Sequence, residues 1–157
     1  MPQISTMLWF DGRAEEAANF YTSIFKNSKI RGIARYPEGS PGPVGTVMTA
    51  AFELDGRPFT ALNGGPLFKF NEAISFVVHC ENQAEVDDFW TKLSEGGAES
   101  QCGWLKDKFG VSWQIVPNAL LEMLQDKDAG KAKRVMQAML QMKKIDIQTL
   151  EQAYDQQ

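Results

Sequence analysis

The side chains that could do chemistry are few and mostly neutral. Gln114 lies in the run Val111-Ser112-Trp113-Gln114-Ile115-Val116. Alternation puts Val111, Trp113 and Ile115 on one strand face and Ser112, Gln114 and Val116 on the other. An amide facing away from apolar bulk suits two roles: bonding to neighbouring strands or water, or orienting a ligand. His79 is the only histidine and shares strand parity with Ser75 and Val77. It could be an acid–base group at a cavity, or structural. One histidine rules in neither a Ser-His-Asp triad nor a multi-histidine metal site. Ser75 and Thr6 have no general base within their motifs, so they are expected to line a cavity rather than act as nucleophiles. Cys80 and Cys102 are expected to be free, inert, buried thiols. Asp107, between Lys106 and Lys108, reads as a solvated turn, with a ligand-binding charge at a cavity rim as the alternative.

Composition excludes several classes. A chain of 157 residues with 43% hydrophobic content has enough for one domain with a real core. A net charge of −4 with scattered basic residues argues against a nucleic-acid partner. No apolar run approaches the roughly 20 residues of a membrane span, and the first residues do not read as a secretory signal. Two cysteines are too few for a disulfide scaffold. A reducing cytoplasm is the expected compartment.

The positioning elements read in order. Ile4 to Phe10 is a strand, Arg13 to Phe25 a helix with Ala14, Ala17, Ala18 and Tyr21 inward, and Ile30 to Tyr36 a strand. A Pro- and Gly-rich loop follows. Thr46 to Leu54 and Pro58 to Leu62 form a hairpin at Asp55-Gly56. Leu67 to Asn71 links to a second half. There Ile74 to Cys80 is a strand and Gln83 to Glu95 a helix with Val86, Phe89, Trp90 and Leu93 inward. Glu99 to Leu105 and Lys106 to Phe109 are weaker strands, and Val111 to Val116 a strong one. From Asn118 the pattern is helical. Ala119 to Leu124 comes first, then a helix capped by Asp128 and running to Met142, then one from Asp146 to Tyr154. Met136, Met139, Leu140 and Met142 form a flexible apolar stripe, either core, interface or lid.

The halves repeat. A shift of 69 positions places Glu16 on Glu85, Phe20 on Phe89, Tyr21 on Trp90, Thr22 on Thr91 and Thr6 on Ser75. Duplication of a strand–helix–three-strand unit follows. Two such sheets would leave a concave face between them, a common place for a small ligand. Trp9 and Trp104 are expected to wall that cavity and Trp113 to be core. Phe68 and Phe70 could close over it or anchor the linker.

Several motifs carry a family resemblance. Glu15-Glu16-Ala17 with Phe20-Tyr21, Ala61-Leu62-Asn63-Gly64-Gly65-Pro66, Ile74-Ser75-Phe76, the run from Trp104 to Pro117, and Gln141 to Ile147 resemble the PhnB-like branch of the vicinal oxygen chelate superfamily. That superfamily includes glyoxalase I, extradiol dioxygenases and fosfomycin-resistance proteins. The resemblance implies an α+β fold of paired βαβββ modules (residues 1–66 and 72–117) with a helical C-terminal extension (118–157). It also implies a homodimer and a site in the cup between modules. Members often carry the label 3-demethylubiquinone 3-methyltransferase. This chain has no Gly-rich strand–helix turn of the nucleotide-binding kind.

Metalloenzymes of the superfamily hold a divalent metal with two side chains from each module. By resemblance those positions fall on Thr6 and Thr60 in the first module, with Ala61 as the other register and Asn63 near, and on Ser75 and Gln114 in the second. Hydroxyls and one amide are poor ligands for zinc, iron or nickel. No metal and no other cofactor is therefore expected. The expected function is metal-free binding of a small organic molecule by Thr6, Trp9, Thr60, Asn63, Ser75, His79, Trp104 and Gln114. The alternatives are a glyoxalase- or isomerase-like lyase recruiting metal through His79, Asp107 or a partner chain, and a structural dimer whose helical tail binds a partner.

Overall fold

A computed structural model describes residues 1–156. The chain divides after Phe70 into two compact units. Each builds a four-stranded mixed sheet with a helix on one face, the α+β plan expected.

In the first unit β1 (Thr6–Phe10), β2 (Lys29–Arg35), β3 (Val47–Leu54) and β4 (Arg57–Asn63) are ordered β1-β4-β3-β2. Only β1 and β4 run parallel. Helix α1 (Ala14–Ile24) connects β1 to β2. Its three alanines, Ala14, Ala17 and Ala18, are fully buried. Their small side chains bring the helix close enough for Tyr21 to stack on Phe52, with ring centroids 6.1 Å apart. Phe52 in turn stacks on Phe59 at 5.3 Å. Asp55 and Gly56 have φ of 49° and 76°, the doubly left-handed turn that matches strand twist.

The second unit repeats the plan with β5 (Ser75–Cys80), β6 (Ala98–Glu99), β7 (Trp104–Lys106) and β8 (Ser112–Pro117), ordered β5-β8-β7-β6. Helix α2 (Gln83–Ser94) is capped by Asn82, whose side chain accepts from Glu85 N at 2.9 Å. Val86, Trp90 and Leu93 of α2 are buried, as are Leu105, Trp113 and Ile115 of the sheet. The edge strand β6 is much shorter than the sequence suggests, and β7 begins earlier, at Trp104. Cys102 and Gly103 have φ of 59° and 86°, which turns the chain before β7. Their N–H groups donate to the carbonyls of Met142 and Lys143, each at 2.8 Å, rather than to a strand.

The tail comprises α3 (Asn118–Leu124), α4 (Ala129–Met139) and α5 (Ile147–Asp155). Asp128 and Asp146 cap α4 and α5 as their types predict. Helix α4 stops at Met139, before the carbonyls of Met142 and Lys143 that Cys102 and Gly103 use. Val116, Leu120, Val135, Ile145 and Leu150 form a small core, with Met139 and Met142 packed on it. Met136 and Leu140 point outward. No helix of the described residues is long and apolar enough to cross a membrane.

Cys80 is fully buried at the end of β5. Burial first, and then the charge of Glu85, push its thiol from 9.0 up to about 12. Folding thus favours the neutral thiol. That contribution is intact below the ordinary thiol value and is lost as pH rises toward the raised one. Unfolding free energy should therefore fall above about pH 9. In native protein at mildly alkaline pH, iodoacetamide should label half-buried Cys102 well ahead of Cys80, and label both equally in urea. Equal labelling in the native state would contradict this.

Candidate functional site

Strand pairing sorts the second sheet into cross-strand rows. One row on the face away from α2 is Ser75, Ser112, Lys106 and Ala98. The next is Val77, Gln114 and Trp104, and beyond it His79 pairs with Val116. The structure therefore brings Ser75, His79, Trp104 and Gln114 onto one face. Gln114 Nε2 donates to Ser75 Oγ at 2.9 Å. Both residues are half-buried, His79 is exposed, and Val77 between them is 43% exposed. Trp113 and Ile115 point the other way, into the core.

The first sheet is placed differently from the sequence expectation. Thr6 pairs with Phe59, and Leu8 with Ala61, on the face covered by α1. The face away from α1 carries Met7 with Thr60 and Trp9 with Leu62. The cause is one residue. Three residues separate β1 from α1, but two separate β5 from α2. The helices superimpose at a shift of 69, whereas the strands superimpose at 70. A one-residue slip in a strand exchanges its faces, so Met7 corresponds to Val77. Thr60 and Gln114 do correspond, as partners of Met7 and Val77.

Asn63 is also spoken for. Its Oδ1 accepts from Ala14 N at 2.9 Å, capping α1 from across the sheet, and its Nδ2 donates to Val47 O at 3.0 Å. Arg13, the residue in the cap position, supplies no side-chain cap of its own. Trp9 sits half-buried at the end of β1, its Nε1 donating to Gly65 O at 2.8 Å. A Cβ on Gly64 would lie 2.4 Å from the Trp9 ring, so only glycine fits there. Phe68 meets the same ring edge-on at 4.9 Å, and Phe70 meets Phe10 at 5.3 Å. Both phenylalanines thus pin the segment after β4 to β1. Trp9, Tyr36, Met48 and Leu62 line an open groove of about 970 Å³ with Asp11 and Glu15.

Asp107 is not a solvated turn residue. It is 2% exposed. Its Oδ1 accepts from Phe109 N at 2.8 Å and Val111 N at 3.1 Å, and Oδ2 accepts from Trp113 Nε1 at 2.9 Å. It holds the turn before β8 from inside. Lys106 pairs instead with Glu72, whose carboxyl that hydrogen bond holds below its usual range. Sequence reading gave no weight to Ser112, although its parity with Gln114 was visible. Its burial was not.

The superfamily's divalent metal does not fit these side chains. The outward positions nearest the strand starts and ends are Met7, Thr60, Val77, Ser75 and Gln114, which offer a thioether, hydroxyls and an amide. Hard or borderline divalent cations need imidazole, thiolate or carboxylate. Among the described residues, no three His, Cys, Asp or Glu side chains gather as a metal-holding group.

Residues 2–116 match the family model described as 3-demethylubiquinone-9 3-methyltransferase. The tail, including Gln141 to Ile147, lies outside that match. A Bacillus cereus PhnB protein, described by the same activity, is 42% identical over 74% of this chain and 99% of its own, with a TM-score of 0.68. Protein PA1353 from Pseudomonas aeruginosa is 21% identical over 74% and 98%, with a TM-score of 0.61. The fosfomycin resistance protein FosX from Listeria monocytogenes, in complex with Mn(II) and sulfate, is 13% identical over 79% and 95%, with a TM-score of 0.54. The last two share the fold. No curated protein matches the sequence.

Proposed function

We propose that this chain, which belongs to the 3-demethylubiquinone-9 3-methyltransferase-like (PhnB) family of the vicinal oxygen chelate superfamily, binds a small organic molecule without a metal. The binding surface is the open face of the second sheet. The observation that carries the reading is the Gln114–Ser75 pair. Gln114 spends an N–H on Ser75 and keeps its Oε1 for a donor on the ligand. Ser75 accepts that bond and keeps its O–H for an acceptor. Val77 and Trp104, in the same row, supply apolar surface. A few polar groups on an apolar wall is the usual make-up of a small-molecule site. The family's descriptive name implies methyl transfer; the open faces offer no Gly-rich strand–helix turn to hold a nucleotide-like methyl donor. The resemblance also suggests a homodimer, for which sedimentation at twice 17.6 kDa is the check.

Gln114→Ala should leave the melting temperature within a few degrees of wild type. It should abolish the stabilisation given by any small organic metabolite that raises the wild-type value. A ligand at 100 times its Kd adds about 2.7 kcal/mol, a readily measured shift. A panel in which no compound shifts the wild type, or in which the shift survives in Gln114→Ala, would overturn the reading.

A further inference from the structure

One polar atom on the second sheet is unexplained. Ser112 is 1% exposed, and its Oγ has no hydrogen-bond partner, alone in this among the buried side-chain nitrogens and oxygens of the described residues. A buried hydroxyl without a partner is a net loss to stability, which alanine at the same place would remove. Ser112 lines a cavity of about 230 Å³ beside the two-residue edge strand β6. Trp104, Leu105 and Ala98 give it apolar wall, and Lys106, Glu72 and Glu99 are its charged lining. Each of these charges has a partner. Lys106 and Glu72 are joined in an ion pair, and Glu99 accepts from Trp90 Nε1 at 2.9 Å.

We propose that this cavity takes a small neutral aromatic molecule carrying one hydrogen-bonding group, its ring against Trp104 and its polar group on Ser112 Oγ. The inference rests on the reading of this face as a binding surface and adds the chemical class. An anion would have to break the Lys106–Glu72 pair to find a counter-charge and would then face two carboxylates. A cation would meet the Lys106 ammonium and two carboxylates already engaged, Glu72 by Lys106 and Glu99 by Trp90 Nε1. The volume is below the roughly 300–1,000 Å³ of drug-sized sites, which limits the occupant to about one ring. An aromatic ring gains from the Trp104 indole beyond simple burial. The ligand's polar group gives Ser112 the partner that the chain does not.

The test is a titration of the full ¹⁵N-labelled chain with benzamide, benzoate and benzylammonium, matched in size and differing in charge. Benzamide should give saturable shifts at the Trp104 indole N–H and the Ser112 and Lys106 amides. The two ions should bind more weakly. Ser112→Ala should keep or raise the melting temperature and weaken benzamide roughly tenfold, the loss of one buried hydrogen bond. Trp104→Leu should weaken benzamide as well. No saturable shift with benzamide, tighter binding of either ion, or unchanged benzamide affinity in Ser112→Ala would overturn the proposal. A fall in melting temperature in Ser112→Ala would also overturn it, by showing that the hydroxyl already has a structural partner. If metabolites stabilise wild type but not Gln114→Ala while benzamide gives no shift, the chemical class is wrong and the broader binding reading stands.

Discussion

Asp107→Ala should lower the unfolding free energy by about 3–5 kcal/mol, the largest loss expected from any single polar substitution in the chain. The carboxylate accepts three N–H bonds inside the protein, from Phe109, Val111 and Trp113. Bonds to a charged acceptor are the stronger kind. Alanine would strand the indole N–H of a tryptophan that is 3% exposed and the amide of a valine equally buried. Asparagine would keep one acceptor but set an NH₂ against another donor, so about 2–3 kcal/mol should be lost. Urea unfolding of both variants measures this. Losses under about 1 kcal/mol would mean the turn holds without its carboxylate. The substitution also bears on function. A carboxylate that is 2% exposed and already holds three donors would have to give up bonds of the turn to bind a metal, which argues against Asp107 as the recruited ligand that a lyase would need.

Removing residues 128–157 should prevent the second unit from folding stably, with a loss beyond about 5 kcal/mol. The deletion takes Val135, Ile145 and Leu150 from the tail core and bares Val116 and Leu120. Each buried aliphatic side chain is worth about 2–5 kcal/mol when truncated. It also unpairs backbone. Cys102 N and Gly103 N lose Met142 O and Lys143 O. Gln83 loses Ile145 O at 3.0 Å and Ile147 N at 2.8 Å, and Asp87 loses Lys144. Ile145→Ala is the milder form of the same test, at roughly 2–4 kcal/mol. The Bacillus cereus relative is covered over 99% of its length by 74% of this chain. The matched part of the fold can therefore stand without such a tail elsewhere. In this chain the joint has been built into α2 and the turn before β7. A truncated chain with the denaturation midpoint of the full one would show that the joint is dispensable.

Much of this architecture was legible because it rests on periodic and local signals. The inward alanines of α1, the Asp55-Gly56 hairpin and the Asp128 and Asp146 caps each follow from one residue type in one geometry. So did the opposed faces of Trp113 and Gln114. What escaped depended on register or on distant partners. Thr6 and Met7 exchange faces because the connection into α1 is one residue longer than the connection into α2. No helix pattern reveals a loop length that resets a strand. Asn63 looked like a ligand group beside glycines, but it caps a helix 49 positions earlier. Asp107 looked solvated between two lysines, because its acceptors are satisfied by groups the turn itself folds over it. The strand expected over Glu99 to Leu105 is broken because Cys102 and Gly103, between β6 and β7, donate to the tail.

The transition-metal content of the protein, purified without chelator and without a nickel column, bears most directly on the central claim. Thioether, hydroxyl and amide groups at the outward strand positions predict manganese, iron, nickel and zinc well below one per chain. One equivalent of any of these metals, lost in Gln114→Ala, would contradict a metal-free binding face.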